Sequence, residues 1–131
     1  MKYTTTSVTE AQIETIIDLL VNKNNMVTLE REDIMPVIEG KNCMMFEATQ
    51  EEEDREKFFQ LIRYEMNQMP ELRDCQSMLV CFMEPEPYAL SLDELGAFID
   101  LMMNVSSGAD VVWGTTSGKD TDRLKVIVVV A

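Results

Sequence analysis

Twenty-four aspartates and glutamates, three cysteines and no histidine set the chemistry open to this chain. Without histidine it lacks the commonest general base and zinc ligand. Neither a Ser–His nor a Cys–His nucleophile pair can form. Carboxylate pairs remain, but among so many acids pairs arise by chance. Two acidic stretches stand out, Glu30-Arg31-Glu32-Asp33 and Glu51-Glu52-Glu53-Asp54, each just ahead of a helical apolar pattern. The second has the composition of a metal cluster, yet consecutive helix positions point in different directions. Both stretches read instead as acid that complements the positive end of a helix dipole. Cys43 and Cys81 sit inside apolar, strand-like runs, and no C-x-x-C spacing occurs. Buried free thiols of a reducing cytosol follow. No catalytic residue, metal ligand or cofactor is predicted.

The charge narrows the partners. A net −13 excludes most nucleic-acid binding, which needs lysine and arginine in excess, and disfavours an anionic membrane surface. It suits a solvated acidic surface or a basic protein partner. With 131 residues and 46% apolar content, one domain spanning 1–131 with one core is expected. The opening Met1-Lys2-Tyr3-Thr4-Thr5-Thr6 has no apolar segment of a secretory signal. Val126 to Ala131, the longest apolar run, is too short to cross a bilayer. A cytoplasmic protein is the expectation.

The elements that must position any site come from periodicity and punctuation. Ser7 with Glu10 forms a capping-box pattern, and Ile13, Ile16, Ile17 and Leu20 follow at helical spacing. A brief helix carries Ile34, Val37 and Ile38, with Pro36 expected in its first turn and Gly40 closing it. Residues 7–39 thus hold an N-terminal helix, an acidic loop and a short helix. The sheet-and-helix core is expected over 40–131. Strands are predicted at Asn42–Glu47, Met78–Met83, Ala109–Trp113 and Arg123–Ala131, with Leu124, Val126, Val128 and Val130 pointing inward. Two helices lie between them. The first starts at a Thr49-x-x-Glu52 box and buries Phe58, Leu61, Ile62 and Met66. The second starts at Ser91-x-x-Glu94 and buries Leu95, Phe98, Ile99 and Met102. The predicted fold is α/β, a two-layer sandwich of a four-stranded mixed sheet packed by two helices. The first three strands are parallel through helical crossovers and the last two form a hairpin.

That order resembles the C-terminal domain of the FtsZ/tubulin family, whose sandwich is also chorismate-mutase-like. Local motifs agree. Ala109-Asp110-Val111-Val112-Trp113-Gly114, followed after a polar turn by Asp122-Arg123-Leu124-Lys125-Val126-Ile127-Val128, is similar to the family's closing hairpin. Leu90-Ser91-Leu92-Asp93-Glu94-Leu95 looks like the family's helix start. Gly40-Lys41 with Met44-Met45 and Glu47-Ala48 resembles its first strand, without the glycines found there. The resemblance covers most of residues 10–131.

The resemblance carries a functional expectation. FtsZ bears a synergy loop, Asn-x-Asp-x-x-Asp, whose acids reach into the nucleotide site of the next subunit. Counting back from Gly40 places Thr28, Glu30 and Asp33 on it: one acid kept, one lengthened, the asparagine replaced. A carboxylate displaced by a methylene can cost about 100-fold in rate, so the loop is not expected to support hydrolysis. The family's glycine-rich phosphate signature has no counterpart among the five glycines here. The resemblance therefore implies a non-catalytic cell-division or cytoskeletal interaction module that does not bind GTP by itself. Its partner would be FtsZ or a second copy, and it would modulate or cap a filament through Thr28, Glu30 and Asp33. A small-ligand-binding or catalytic oligomer of chorismate-mutase-like fold is the alternative, disfavoured by the scarcity of basic residues to hold anionic substrates.

Overall fold

A computed structural model of the chain describes residues 1–23, 25, 27–38, 40–85, 90–106, 108–118 and 122–131. The elements run β1 (Lys2–Ser7), α1 (Glu10–Leu20), α2 (Arg31–Ile38), β2 (Met44–Thr49) and α3 (Arg55–Asn67). The short α4 (Pro70–Arg73), β3 (Ser77–Pro85), α5 (Leu92–Val105), β4 (Asp110–Gly118) and β5 (Lys125–Val130) follow. The mixed α/β sheet with covering helices is as expected. It has five strands rather than four, in the order β1-β2-β5-β3-β4. The added strand is β1, whose threonine run favours extended backbone. That strand takes Ser7 away from the first helix. Thr9 caps α1 instead, in a reciprocal capping box with Gln12. In the same way Asp54, not Thr49, caps α3 by accepting the Glu56 N–H at 3.0 Å. Ser91 caps α5 as predicted.

The predicted closing hairpin does not form. β5 inserts between β2 and β3 and runs antiparallel to both, whereas β4 pairs only with β3, in parallel. β2 and β3 are therefore not neighbours, although they run in the same direction. The physical reason lies in β5 itself. Val126 to Val130 are all buried, and such a run is satisfied only with a strand on each edge and cover on each face.

Cover comes from both sides, so the sandwich has three layers rather than two. Phe58, Phe59, Ile62 and Met66 of α3 and Leu95, Phe98 and Met102 of α5 pack on Phe46, Val80, Phe82, Val126 and Val128. On the opposite face Ile16, Ile17 and Leu20 of α1 and Ile34, Val37 and Ile38 of α2 cover Leu79, Cys81, Ile127 and Val129. Gly114 on β4 lets this second layer approach. A Cβ there would lie 3.0 Å from Leu20 Cδ2 and 3.1 Å from Leu29 Cγ. Pro36 stands inside α2, past its first turn, and the helix ends two residues later. Gly40, at φ 67°, then turns the chain toward β2. Cys43 and Cys81 are buried, and all three cysteines are free. Burial pushes the Cys81 thiol up to about 12. Among the described residues no helix is long and apolar enough to cross a membrane.

Val128 has no solvent exposure and sits on the central strand. Val128→Asp should bury an unpaired charge at a cost of roughly 4 kcal/mol or more. Thermal melts followed by circular dichroism should show either no cooperative transition or a melting temperature lowered by about 10 °C or more. An unchanged melting temperature would contradict the central position of β5.

Candidate functional site

The loop between α1 and α2 is tied down at several of its described residues. Leu29 N–H donates to Leu20 O at 3.1 Å, and Val27 exchanges hydrogen bonds with Thr115 on β4 at 3.0 and 3.2 Å. The Thr28 hydroxyl turns back on the loop, donating to Asn25 O at 3.1 Å. Asp33 accepts the Glu30 N–H at 3.1 Å, and its own N–H donates to Glu30 O at 2.9 Å. The Asp33 carboxylate thus serves as a half capping box for α2. Arg31 forms a two-pronged ion pair with Glu14 at 2.8 and 3.1 Å, which lowers the Glu14 carboxyl below its ordinary range. Thr28, Glu30 and Asp33 all lie on one exposed loop and helix start. Of the three, the Thr28 hydroxyl and Asp33 carboxylate are engaged within the chain, while Glu30 contributes its backbone to the cap and holds its carboxylate at the surface.

The second candidate was not legible as a unit. β2 and β3 run in the same direction, so α3 and α5 both begin at the same end of the sheet. Their N-termini flank an open groove of about 1390 Å³. Phe59, Pro85, Ala97, Leu101 and Leu124 supply its apolar lining, and Glu51, Glu52, Glu53, Asp54, Glu56, Asp93, Glu94, Asp100 and Asp122 its acids. Arg55, the first residue of α3, crosses to Glu94 of α5 at 3.4 Å. Despite the crowding, no three acids among the described residues are placed to hold a metal ion. The signal that could have located the groove was two acidic β-to-α connections on strands already read as parallel.

Behind Arg55 lies Glu84 of β3, the chemically distinct group of this end. It is 7% exposed, its Oε2 accepts the Leu90 N–H at 3.0 Å, and the Thr115 hydroxyl also draws on its carboxyl; among the described residues its Oε1 has no partner in hydrogen-bond geometry. Burial pushes its carboxyl above the ordinary range, against the pull of the Leu90 N–H and the Arg55 guanidinium. Glu94 goes the other way: burial pushes it up, but the Ser91 N–H and Arg55 outweigh that and leave it lowered.

Solved structures of FtsZ share this fold. An FtsZ dimer from M. jannaschii, solved empty, matches with a TM-score of 0.68 and 18% identity, over 92% of this chain and 36% of that one. A tryptophan-to-tyrosine mutant of the same FtsZ matches with a TM-score of 0.68 and 18% identity, over 93% of this chain and 38% of that one. The fold is that of the FtsZ C-terminal domain, and this chain spans little more than a third of the FtsZ chains it matches. No protein-family model and no curated protein sequence matches the chain.

Glu84 makes stability depend on pH with a definite sign. Its folded pKa is raised, so its contribution is fully present below the unfolded value of about 4.3. That contribution is lost as pH rises through the folded value. Glu84→Gln removes the titration. Urea unfolding of both proteins between pH 4 and 8 should therefore show the variant gaining on wild type as pH rises. A difference that stays constant over that range would mean that Glu84 ionises in the fold without penalty.

Proposed function

We propose that this chain is a non-catalytic, FtsZ-like interaction module that docks on an FtsZ-type filament and caps it. The observation that carries this reading is the fold. The FtsZ C-terminal architecture extends over nearly the whole chain while corresponding to little more than a third of FtsZ. In the family, the edge bearing the synergy loop meets the nucleotide face of the next subunit. These 131 residues have no glycine-rich phosphate signature, so acting alone with that edge presented they would occupy one filament end and offer the next subunit nothing to join. It would act at amounts well below those of the filament protein.

The geometry of the loop supports such a role for Glu30 in particular. Its side chain is exposed, while Asp33 is held as a helix cap. With Thr28 and Glu30 in place of the family's asparagine and aspartate, docking would not trigger efficient hydrolysis. The acceptor face would be basic or would carry the metal ion of a bound nucleotide, since two acidic faces repel. Free cysteines, two of them buried, suit a reducing cytoplasm. A catalytic role in the groove is disfavoured, because an anionic substrate would meet far more acids there than the two arginines, Arg55 and Arg123, could offset.

Two measurements test the proposal. Light scattering of the host's own FtsZ should show shortened or delayed assembly at substoichiometric wild-type chain. Glu30→Ala should remove the effect, and this variant keeps the backbone N–H that caps α2. No effect of wild type, or equal effects of both, would remove the loop from the mechanism. Calorimetry of the isolated chain with GTP should show no binding, because no glycine cluster cradles phosphate. Micromolar affinity would overturn that part of the reading.

A further inference from the structure

The two edges of the sheet are treated differently. At one end β4 is guarded: Val27 hydrogen-bonds to Thr115 from outside the strand, and Leu29 lies against Gly114. At the other end β1 pairs with β2 on its inner side only. Among the described residues no backbone hydrogen bond is made from its outer side. Proteins ordinarily blunt such an edge with proline, a bulge, inward charge or covering structure. β1 has none of these, with Lys2 at its end as the only charged side chain.

We propose that β1 is the contact through which two copies of this chain join, edge to edge and antiparallel, into one ten-stranded sheet. This goes beyond filament docking and does not depend on it. The register follows from the backbone. Val8 N–H donates to Cys43 O at 3.1 Å, in continuation of the β1–β2 ladder. Alternation along an antiparallel ladder then turns the N–H and C=O of Thr4 and Thr6 inward, toward β2, and those of Tyr3, Thr5 and Ser7 outward. Two-fold pairing centred on Thr5 sets Thr5 opposite Thr5, Tyr3 opposite Ser7 and Thr4 opposite Thr6. Every pair is neutral, and threonine pairs are favourable cross-strand neighbours.

Charge argues for a second copy here. The chain carries a net −13, so two copies repel over most of their surfaces. Residues 1–9 contain no acid, and the acids beside them are engaged: Glu47 pairs with Lys125 at 3.0 Å and Glu65 accepts from the Tyr3 hydroxyl at 2.9 Å, so the strand itself brings no negative charge to the seam. The assembly also closes. Each distal edge is a β4 already covered by its own loop, so pairing stops at a two-fold dimer and does not propagate.

Sedimentation velocity of the full chain over a range of concentrations tests this. Wild type should show a monomer–dimer equilibrium. Thr5→Pro removes the outward N–H without touching the β1–β2 ladder. It should weaken the dimer about thirtyfold, the effect of two lost backbone hydrogen bonds at their ordinary net worth. The double variant T4K/T6K places lysine against lysine at the seam, on exposed positions, and should also be monomeric. It lowers the net negative charge by two, so its loss of association could not come from general repulsion. Both variants should keep the wild-type circular dichroism and its effect on FtsZ assembly. A wild type that stays monomeric at every concentration would overturn the proposal and leave the edge to another protein's strand. So would a dimer that survives both variants.

Discussion

Everything in this fold leans on the position of β5. A strand with five consecutive buried residues cannot lie at a sheet edge or leave a face bare. Its backbone groups need partners on both sides and its side chains need apolar cover on both faces. Placing it between β2 and β3 meets the first demand; α3 and α5 on one face and α1 and α2 on the other meet the second. The alternation of Val126, Val128 and Val130 against Ile127 and Val129 divides one valine-rich segment between two separate cores.

The consequence reaches the loop before α2. For α1 and α2 to cover the second face, the chain between them must return along β4. Gly114 permits this, since any larger side chain would press into Leu20 and Leu29. The bonds of Val27 to Thr115 then hold the loop against that edge. Glu30 is therefore presented by a packed segment whose position is set by the same contacts that close the second core. Its placement is a property of the fold rather than of a free loop.

Much of this was legible from the chain, and the failures have physical causes. The apolar stripes of α1, α3 and α5 and the runs of β2, β3 and β5 announced their elements, because burial at helical or strand period is a strong constraint. β1 was missed because Lys2 to Ser7 contains no buried apolar residue; its extended form is imposed by pairing with β2. Once Ser7 belonged to a strand, the cap had to fall on Thr9. The hairpin failed for a different reason. Sequence adjacency of β4 and β5 says nothing about a strand inserting between them, and only the two-sided burial of Ile127 and Val129 pointed to a central place. Thr28, Glu30 and Asp33 were picked out by resemblance, but the role of Asp33 as a cap for α2 depends on backbone geometry that spacing alone does not reveal. The groove was hidden because its acids come from segments some forty residues apart, each with a sufficient local explanation.

Those local explanations also limit how the groove can act. Parallel β2 and β3 force two helix N-termini to one end of the sheet, where their partial positive charges would repel. Asp54 and Glu56 at α3, and Asp93 and Glu94 at α5, offset that charge, and Arg55 ties the two helix starts together through Glu94. None of α1, α2, α3 and α5 carries a basic residue in its last turn, so the compensation is concentrated at the N-terminal ends. Several of the groove's acids are accordingly already engaged with backbone dipoles or with Arg55. A cationic partner entering there would compete with those interactions and gain less than the number of carboxylates suggests. The exposed Glu53, Asp100 and Asp122, which cap neither helix, are the acids left with most to offer it.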